Sequence, residues 1–361
     1  MNTLPESEGL VTGGVDTHRD LHVAAVIDEV GRILGTEAFA VNADGYEALL
    51  TWMRSFGRIG SVGMEGTGSY GAGLFRHLTS HGVDVLEVIR PNRQARRRRG
   101  KSDPADAEAA ARATLCGEAS GTPKARSGAV EAIRALRVAR CGAVKASTQA
   151  SNQLRDLIVS APEVLRARLM SLSTPKRVGL AIRFRPGTLE DPTEATKAAM
   201  RSVARRWVAL QGEITELDRQ LADVVTSAAP DGLLAKQGVG FDVAGALLVA
   251  AGDNAERLGS EAGFAALCGA SPIDASSGKQ VRHRLNRGGD RQANAALWRI
   301  VMTRMACDPR TAAYVARRTA QGKTKREVIR CLKRYVAREI YRELVIEAQP
   351  VTAEFAPPLA A

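Results

Sequence analysis

Four acids and a serine pair stand out by their type and position. Asp16 closes the apolar run Leu10-Val11-Thr12-Gly13-Gly14-Val15, and Glu65 closes Ser61-Val62-Gly63-Met64. Asp103 and Asp106 open an Ala-rich stretch reaching to about Cys116, and their three-residue spacing puts both on one face of a helix. Carboxylates gathered at element ends suit hard divalent ions. Mg²⁺ keeps positions open for phosphate oxygens, and two such ions clamp the attacking and leaving oxygens of a phosphodiester exchange. Far along the chain, Ser276-Ser277-Gly278 is followed by Arg282, His283, Arg284 and Arg287. A serine hydroxyl is a poor nucleophile until its proton is removed or its attack is assisted electrostatically, and three positive groups beside it favour a phosphate. Taken singly, each acid reads as a cap or a surface charge, and Ser-Ser-Gly as a flexible turn.

The charge balance points to a polyanionic partner. Across 361 residues, 51 Lys and Arg against 39 Asp and Glu leave a net charge of +12. Residues 90–101 carry Arg90, Arg93, Arg96, Arg97, Arg98, Arg99 and Lys101 with no acid among them. A solvated surface stripe is the plain alternative. Beside four acids, such a run is better suited to phosphates, which it would grip without reading sequence. Aromatics at 4% argue against broad platforms for stacking single-stranded bases. No stretch is apolar enough for a spanning helix, and Met1–Glu8 is too acidic for a secretory leader. The five cysteines are scattered without a CxxC pair, which fits buried thiols in a reducing cytoplasm. His18 and His283 are possible ligands or bases, with a polar surface histidine the simpler reading of each.

The elements needed to position these residues are legible from periodicity. Three short strands near 10–16, 21–27 and 33–41 are spaced as an antiparallel meander. Helical spacing over 42–56, a strand at 61–65, a helix at 70–81 and a strand at 84–89 follow. This is the order of a ribonuclease-H-like sheet, in which the ends of the first and fourth strands lie side by side. Asp103 is placed to cap the next helix, with Pro104 at its first position.

The composition turns helical from about 128 to 172. Val203, Trp207, Leu210, Ile214, Leu217, Leu221 and Val224 then recur in strict heptads, the seam of a helical hairpin or coiled coil. Gln237-Gly238-Val239-Gly240 leads into an apolar helix at 243–251; such a turn seats a phosphate on helix amides or is merely tight. Residues 272–291 look like loop, with helices from about 290 to 305 and from 326 to 347. The fold class is therefore α/β plus all-α, divided into 1–125, a helical region 126–229, a mainly helical domain 230–348 and a tail 349–361.

Three acidic blocks and a serine block occur in one order. Gly14-Val15-Asp16-Thr17-His18-Arg19-Asp20, Met64-Glu65-Gly66-Thr67-Gly68-Ser69-Tyr70 and Lys101-Ser102-Asp103-Pro104-Ala105-Asp106-Ala107 resemble the DEDD transposases of bacterial insertion sequences, the group numbered one hundred and ten, with its Piv-type invertases. Gly238-Val239-Gly240, Cys268-Gly269-Ala270-Ser271-Pro272, Ser276-Ser277-Gly278-Lys279 and Arg284-Leu285-Asn286-Arg287-Gly288-Gly289 are similar to the second signature of that group. The resemblance runs over about residues 11–345. It implies a RuvC-like N-terminal domain that binds Mg²⁺ (or Mn²⁺) through Asp16, Glu65, Asp103 and Asp106. It also implies a C-terminal nucleophilic serine, Ser277 with Ser276 as runner-up, that joins DNA as a phosphoserine. Further implications are donor and target DNA, a guide RNA encoded in the element, and a dimer or tetramer whose active sites combine both domains. Asn286-Arg287-Gly288-Gly289 departs from the Ser-Lys-Arg-Gly-like stretch common there. Two other readings remain beside this transposase and recombinase: a RuvC-like endonuclease or junction resolvase that uses water, and a non-catalytic nucleic-acid-binding protein.

Overall fold

A computed structural model describes residues 9–88, 102–119, 121–126, 128–278 and 283–346. Arg93, Arg96, Arg97, Arg98, Arg99, Lys101 and Arg282 lie outside these residues, as does the tail 349–361. The chain divides into two compact units, residues 1–126 with 254–259, and residues 127–253 with 260–361.

The first unit is a five-stranded sheet with helices on both faces. Strands β1 (Leu10–Thr17), β2 (Leu21–Ile27) and β3 (Ile33–Ala40) form the expected antiparallel meander. Helix α1 (Ala43–Arg54) leads to β4 (Arg58–Met64), then α2 (Ala72–Ser80) to β5 (Val85–Glu87). The strand order is β3-β2-β1-β4-β5, with β4 parallel to both β1 and β5. β1 is central and buried on both faces, so its apolar run is nearly continuous rather than alternating. On one face Val15, Met64, Leu49, Met53, Leu74 and Leu78 form the core with α1 and α2.

The opposite face receives α3 (Asp103–Leu115). Its Ala107, Ala110 and Ala111 are buried against the strands, and the strands answer with glycine. A Cβ on Gly14 would stand 2.2 Å from the Ala107 carbonyl oxygen, and one on Gly63 2.0 Å from Thr114 Oγ1. Small residues on both sides let the helix lie directly on β1 and β4. The helix starts one residue earlier than its sequence suggests. Ser102 occupies the cap position and Asp103 is the first helical residue, so its carboxylate does not cap the helix and meets His18 instead.

The second unit is mainly helical. α4 (Ala129–Val159) and α7 (Pro192–Ala228) run as a long hairpin, with α5 (Glu163–Leu169) and α6 (Thr174–Ile182) closing an apolar cluster at one end. Of the heptad seam, Leu221 is buried, while Val203, Trp207, Leu210, Ile214, Leu217 and Val224 stay half-buried. After α8 (Asp231–Ala235) come α9 (Phe241–Ala251) and α10 (Glu261–Leu267). A two-stranded hairpin of β6 (Ile273–Asp274) and β7 (His283–Arg284) precedes α11 (Arg291–Cys307), α12 (Pro309–Ala320) and α13 (Lys325–Tyr341).

The Gly-x-Gly turn before α9 leads into an internal ion cluster. Asp242, in the first turn of α9, is met by Arg137 of α4 (2.5 Å), by Arg299 of α11 and by Arg140 (3.6 Å). Burial alone would push the Asp242 carboxyl up, but the three guanidinium groups outweigh it and leave it below the usual carboxylate range. A depressed carboxyl contributes stability at pH values above its unfolded pKa, and the contribution is lost as pH falls through the folded value. Asp242→Ala leaves buried Arg137 with the backbone carbonyl of residue 242 but no carboxylate to balance its charge. It is expected to cost about 2 kcal/mol and roughly 5 °C of melting temperature at pH 7. The difference from wild type should shrink on acidification below about pH 4, measured by calorimetry.

Candidate metal centre and serine hairpin

Strand register brings the first two acids together. Val15 pairs with Met64 across β1 and β4, so Asp16 and Glu65 follow at neighbouring strand ends. The Glu65 amide donates to the Val15 carbonyl (3.3 Å), and Thr17 Oγ1 donates to the Glu65 carbonyl (2.9 Å). The loop after Glu65 is held by Thr67, which donates to Glu87 of β5 (2.7 Å). Gly66 turns that loop at φ 65°, where a Cβ would lie 2.9 Å from Thr17 Oγ1.

Asp103 and Asp106 enter from the first turn of α3. Asp106 is buried and Asp103 exposed. His18, read as a possible ligand or base and more simply as a polar surface histidine, has a side chain 45% exposed and touches two of these acids. Its Nε2 lies 3.1 Å from Asp16 Oδ2 and 3.3 Å from Asp103 Oδ1. The one ring nitrogen is thus shared between two carboxylates. The Asp16 carboxyl is pushed above its ordinary value, first by burial and then by the charges of Asp106 and Asp103, against an opposing pull from His18. Asp16, His18 and Asp103 each offer a ligand atom within 4.8 Å of the others. The donor set, mostly carboxylate oxygen, fits a hard divalent ion.

A carboxyl raised in the folded state contributes stability below its unfolded pKa, and that contribution is lost as pH rises through the folded value. Without added metal, Asp16→Asn is therefore expected to raise the melting temperature by a few degrees at pH 7. The gain should disappear below about pH 4, where Asp16 is protonated in both states. Differential scanning calorimetry across this range checks both limbs.

Sequence reading missed Arg126 at this site. Its guanidinium lies over Gly68 in the Glu65 loop, where a Cβ would come within 2.6 Å of Nη2. Arg126 also has φ 51°, a left-handed backbone that costs a non-glycine residue energy and is enriched at functional sites.

The serine pair sits at the turn of the β6–β7 hairpin. Ser276 donates its hydroxyl (2.5 Å) and its amide (2.8 Å) to Asp274 Oδ1. These bonds hold the Asp274 carboxyl below its usual range. Ser277 is exposed, and its hydroxyl has no hydrogen-bond partner among the described residues. Gly278 follows at φ 56° in open space, the left-handed position that glycine adopts without strain. The hairpin base is clamped backbone to backbone: a Cβ on Gly289 would lie 2.2 Å from the Gly269 amide nitrogen. Asn294 donates to the Cys268 carbonyl (2.7 Å), and buried Lys333 donates to Asn294 (2.9 Å). Burial, then the neighbouring Arg330, lowers the Lys333 pKa.

Arg284 and Arg287 are exposed as expected, and so is His283. Arg284 lines a large cleft with Arg317, Arg318, Lys323, Arg330 and Arg334, which sequence reading did not single out. These come mostly from α12 and α13, and α12 itself was unforeseen because only Thr311 on it is buried.

The chain thus carries a five-stranded sheet with acids at the ends of β1 and β4 and on the facing helix, followed by a helical unit with an exposed serine. Residues 13–161 match the family model for DEDD transposases of the IS110 type. Residues 232–316 match the one described as "Transposase IS116/IS110/IS902 family". The chain belongs to the IS110 family of transposases. It is similar to the "Insertion element IS110 uncharacterized 43.6 kDa protein" of Streptomyces coelicolor, at 30% identity over 151 residues. That stretch covers 41% of this chain and 35% of the relative.

Proposed function

We propose that this chain cuts and rejoins DNA as the transposase of an insertion sequence, using Mg²⁺ (or Mn²⁺) and a covalent phosphoserine. The observation that supports the reading is Asp16 and Asp103 meeting at His18, with Glu65 directly after the strand paired with β1 and Asp106 in the same first helical turn as Asp103. The N-terminal unit takes the RuvC-like form, as its strand order supports.

In this reading Asp16, Glu65, Asp103 and Asp106 would hold the metal, which would supply positive charge against the phosphate and lower the pKa of an oxygen nucleophile beside it. Ser277 Oγ attacks phosphorus. The phosphodiester bond to one sugar oxygen breaks as the serine–phosphate bond forms, and that oxygen leaves as a hydroxyl after taking up a proton. A hydroxyl of the other DNA strand then attacks the phosphoserine, which releases Ser277 with its proton restored. Each step exchanges one phosphate ester for another, so no ATP is needed. Arg284, Arg287 and the cleft on α12 and α13 grip phosphates, as do Arg93, Arg96, Arg97, Arg98, Arg99, Lys101 and Arg282.

The partners in this proposal are donor and target DNA, a structured RNA from the same element that selects them, and further copies of this chain. The half-buried seam from Val203 to Val224 provides a surface that a coiled-coil contact between copies would complete.

Protein purified from cells that carry the whole element should contain one element-derived RNA. With that RNA and Mg²⁺ it should join donor to target DNA without ATP. Products that are only cleaved and never joined would favour the junction-resolvase reading. Specific joining by RNA-free protein would contradict the guide.

A further inference from the structure

A second constellation lies at the end of α2, apart from the acids. His77 and His81 are four residues apart, so their rings project from the same side of the helix end. Glu47 of α1 faces both. Its Oε2 lies 3.2 Å from His77 Nε2 and 3.8 Å from His81 Nε2, and one ligand atom from each of the three falls within 4.8 Å of the others. Four ligands set tetrahedrally at zinc bond lengths are separated by about 3.3 Å.

Two features separate this trio from an ordinary surface ion pair. His77 Nε2 is shut off from solvent and makes no hydrogen bond among the described residues, because Glu47, though close, lies off the line that a hydrogen bond needs. Two lone-pair atoms close together but misaligned for each other are placed to share a third atom. The second feature is the tautomer of His81. Its Nδ1 lies 2.8 Å from the His77 carbonyl oxygen, which can only accept, so Nδ1 carries the proton and Nε2 presents its lone pair towards Glu47. A backbone acceptor on the far ring nitrogen is the usual support of a metal-binding histidine. The His77 ring is further held between the rings of Tyr46 (6.0 Å) and His81 (4.4 Å).

We propose that Glu47, His77 and His81 bind a transition-metal ion of the zinc class, a site independent of the Asp16 centre that clamps the end of α2 to α1. Two imidazoles and one carboxylate prefer Zn²⁺ or Co²⁺ to Mg²⁺, which demands oxygen ligands. The fourth position faces water, since the Glu47 side chain is 55% and the His81 side chain 39% exposed. The ion selected here therefore differs in kind from that of the acidic centre.

Co²⁺ titration of the metal-free, full-length protein tests this, because four-coordinate Co²⁺ absorbs strongly in the visible and six-coordinate oxygen-bound Co²⁺ only weakly. The strong spectrum should saturate at one equivalent, disappear on adding Zn²⁺, and persist in Asp16→Asn. It should be lost in Glu47→Gln and in His81→Gln, two exposed positions whose variants should melt like wild type without metal. In an Asp16→Asn background, Zn²⁺ should raise the melting temperature, and should no longer do so once Glu47→Gln or His81→Gln is added. Absence of the spectrum, its survival in both variants, or its loss in Asp16→Asn would overturn the proposal.

Discussion

Asp16→Ala and Asp106→Ala are each expected to reduce strand exchange in Mg²⁺ by a hundredfold to a thousandfold or more, the scale of losing one preorganised electrostatic group at a reacting phosphate. Neither loss should come from unfolding. Asp16 is held above its ordinary carboxyl value by burial and by Asp106 and Asp103, so removing its charge relieves repulsion in the metal-free protein. Glu65→Ala and Asp103→Ala should behave alike, since Glu65 follows the strand paired with β1 and Asp103 meets the same His18 nitrogen as Asp16. DNA binding should persist in all four, because phosphate contacts depend on Arg and Lys elsewhere. Two or more of these variants exchanging strands at close to the wild-type rate would remove the metal centre from the mechanism.

The second large effect is expected at the serine hairpin. Ser277→Ala should abolish strand joining and leave DNA affinity within about twofold, while Ser276→Ala should retain joining. The structure gives a reason for the asymmetry that sequence alone lacked. Ser276 spends its hydroxyl on Asp274, whereas the exposed Ser277 hydroxyl is available to a phosphate. Asp274→Asn weakens the turn that shapes the hairpin and should slow joining less than Ser277→Ala does. The reverse pattern, joining lost in Ser276→Ala and kept in Ser277→Ala, would make Asp274 the base of a Ser276 nucleophile.

Much of the N-terminal unit was legible because its strands are short, apolar and punctuated by glycine, and α1 and α2 carry plain helical spacing. The juxtaposition of Asp16 and Glu65 followed from strand order alone. The contact of His18 with the acids was not legible because a histidine on a polar stretch carries no periodic signal, and only the approach of α3 brings Asp103 to it. That approach depends on Gly14 and Gly63, whose role shows only when the helix lies on them. His77 and His81 were visible as His-x-x-x-His, a signal overlooked because Glu47 joins them only through packing of α1 on α2.

In the helical unit, apolar periodicity found α7 and α9 but not α12, whose sequence Pro309-Arg310-Thr311-Ala312-Ala313-Tyr314 offers little apolar surface. Its start is written instead in Asp308, which accepts from the Arg310 (3.2 Å) and Thr311 (3.1 Å) amides as an N-cap. The Gly-x-Gly turn read equally as a phosphate seat or as a merely tight turn. Asp242 and three arginines occupy the start of that helix, so its charge is satisfied within the unit.

The most direct test of the account is mass spectrometry of the protein after reaction with a suicide DNA substrate nicked beside the cleavage site, in Mg²⁺ and with the element RNA. Digestion should yield a peptide carrying a nucleotide through phosphate on Ser277, absent from Ser277→Ala and from Asp16→Ala. Efficient strand transfer with Ser276 and Ser277 both replaced by alanine, and no covalent peptide at any time point, would show that water or a DNA hydroxyl is the nucleophile and would contradict the phosphoserine mechanism.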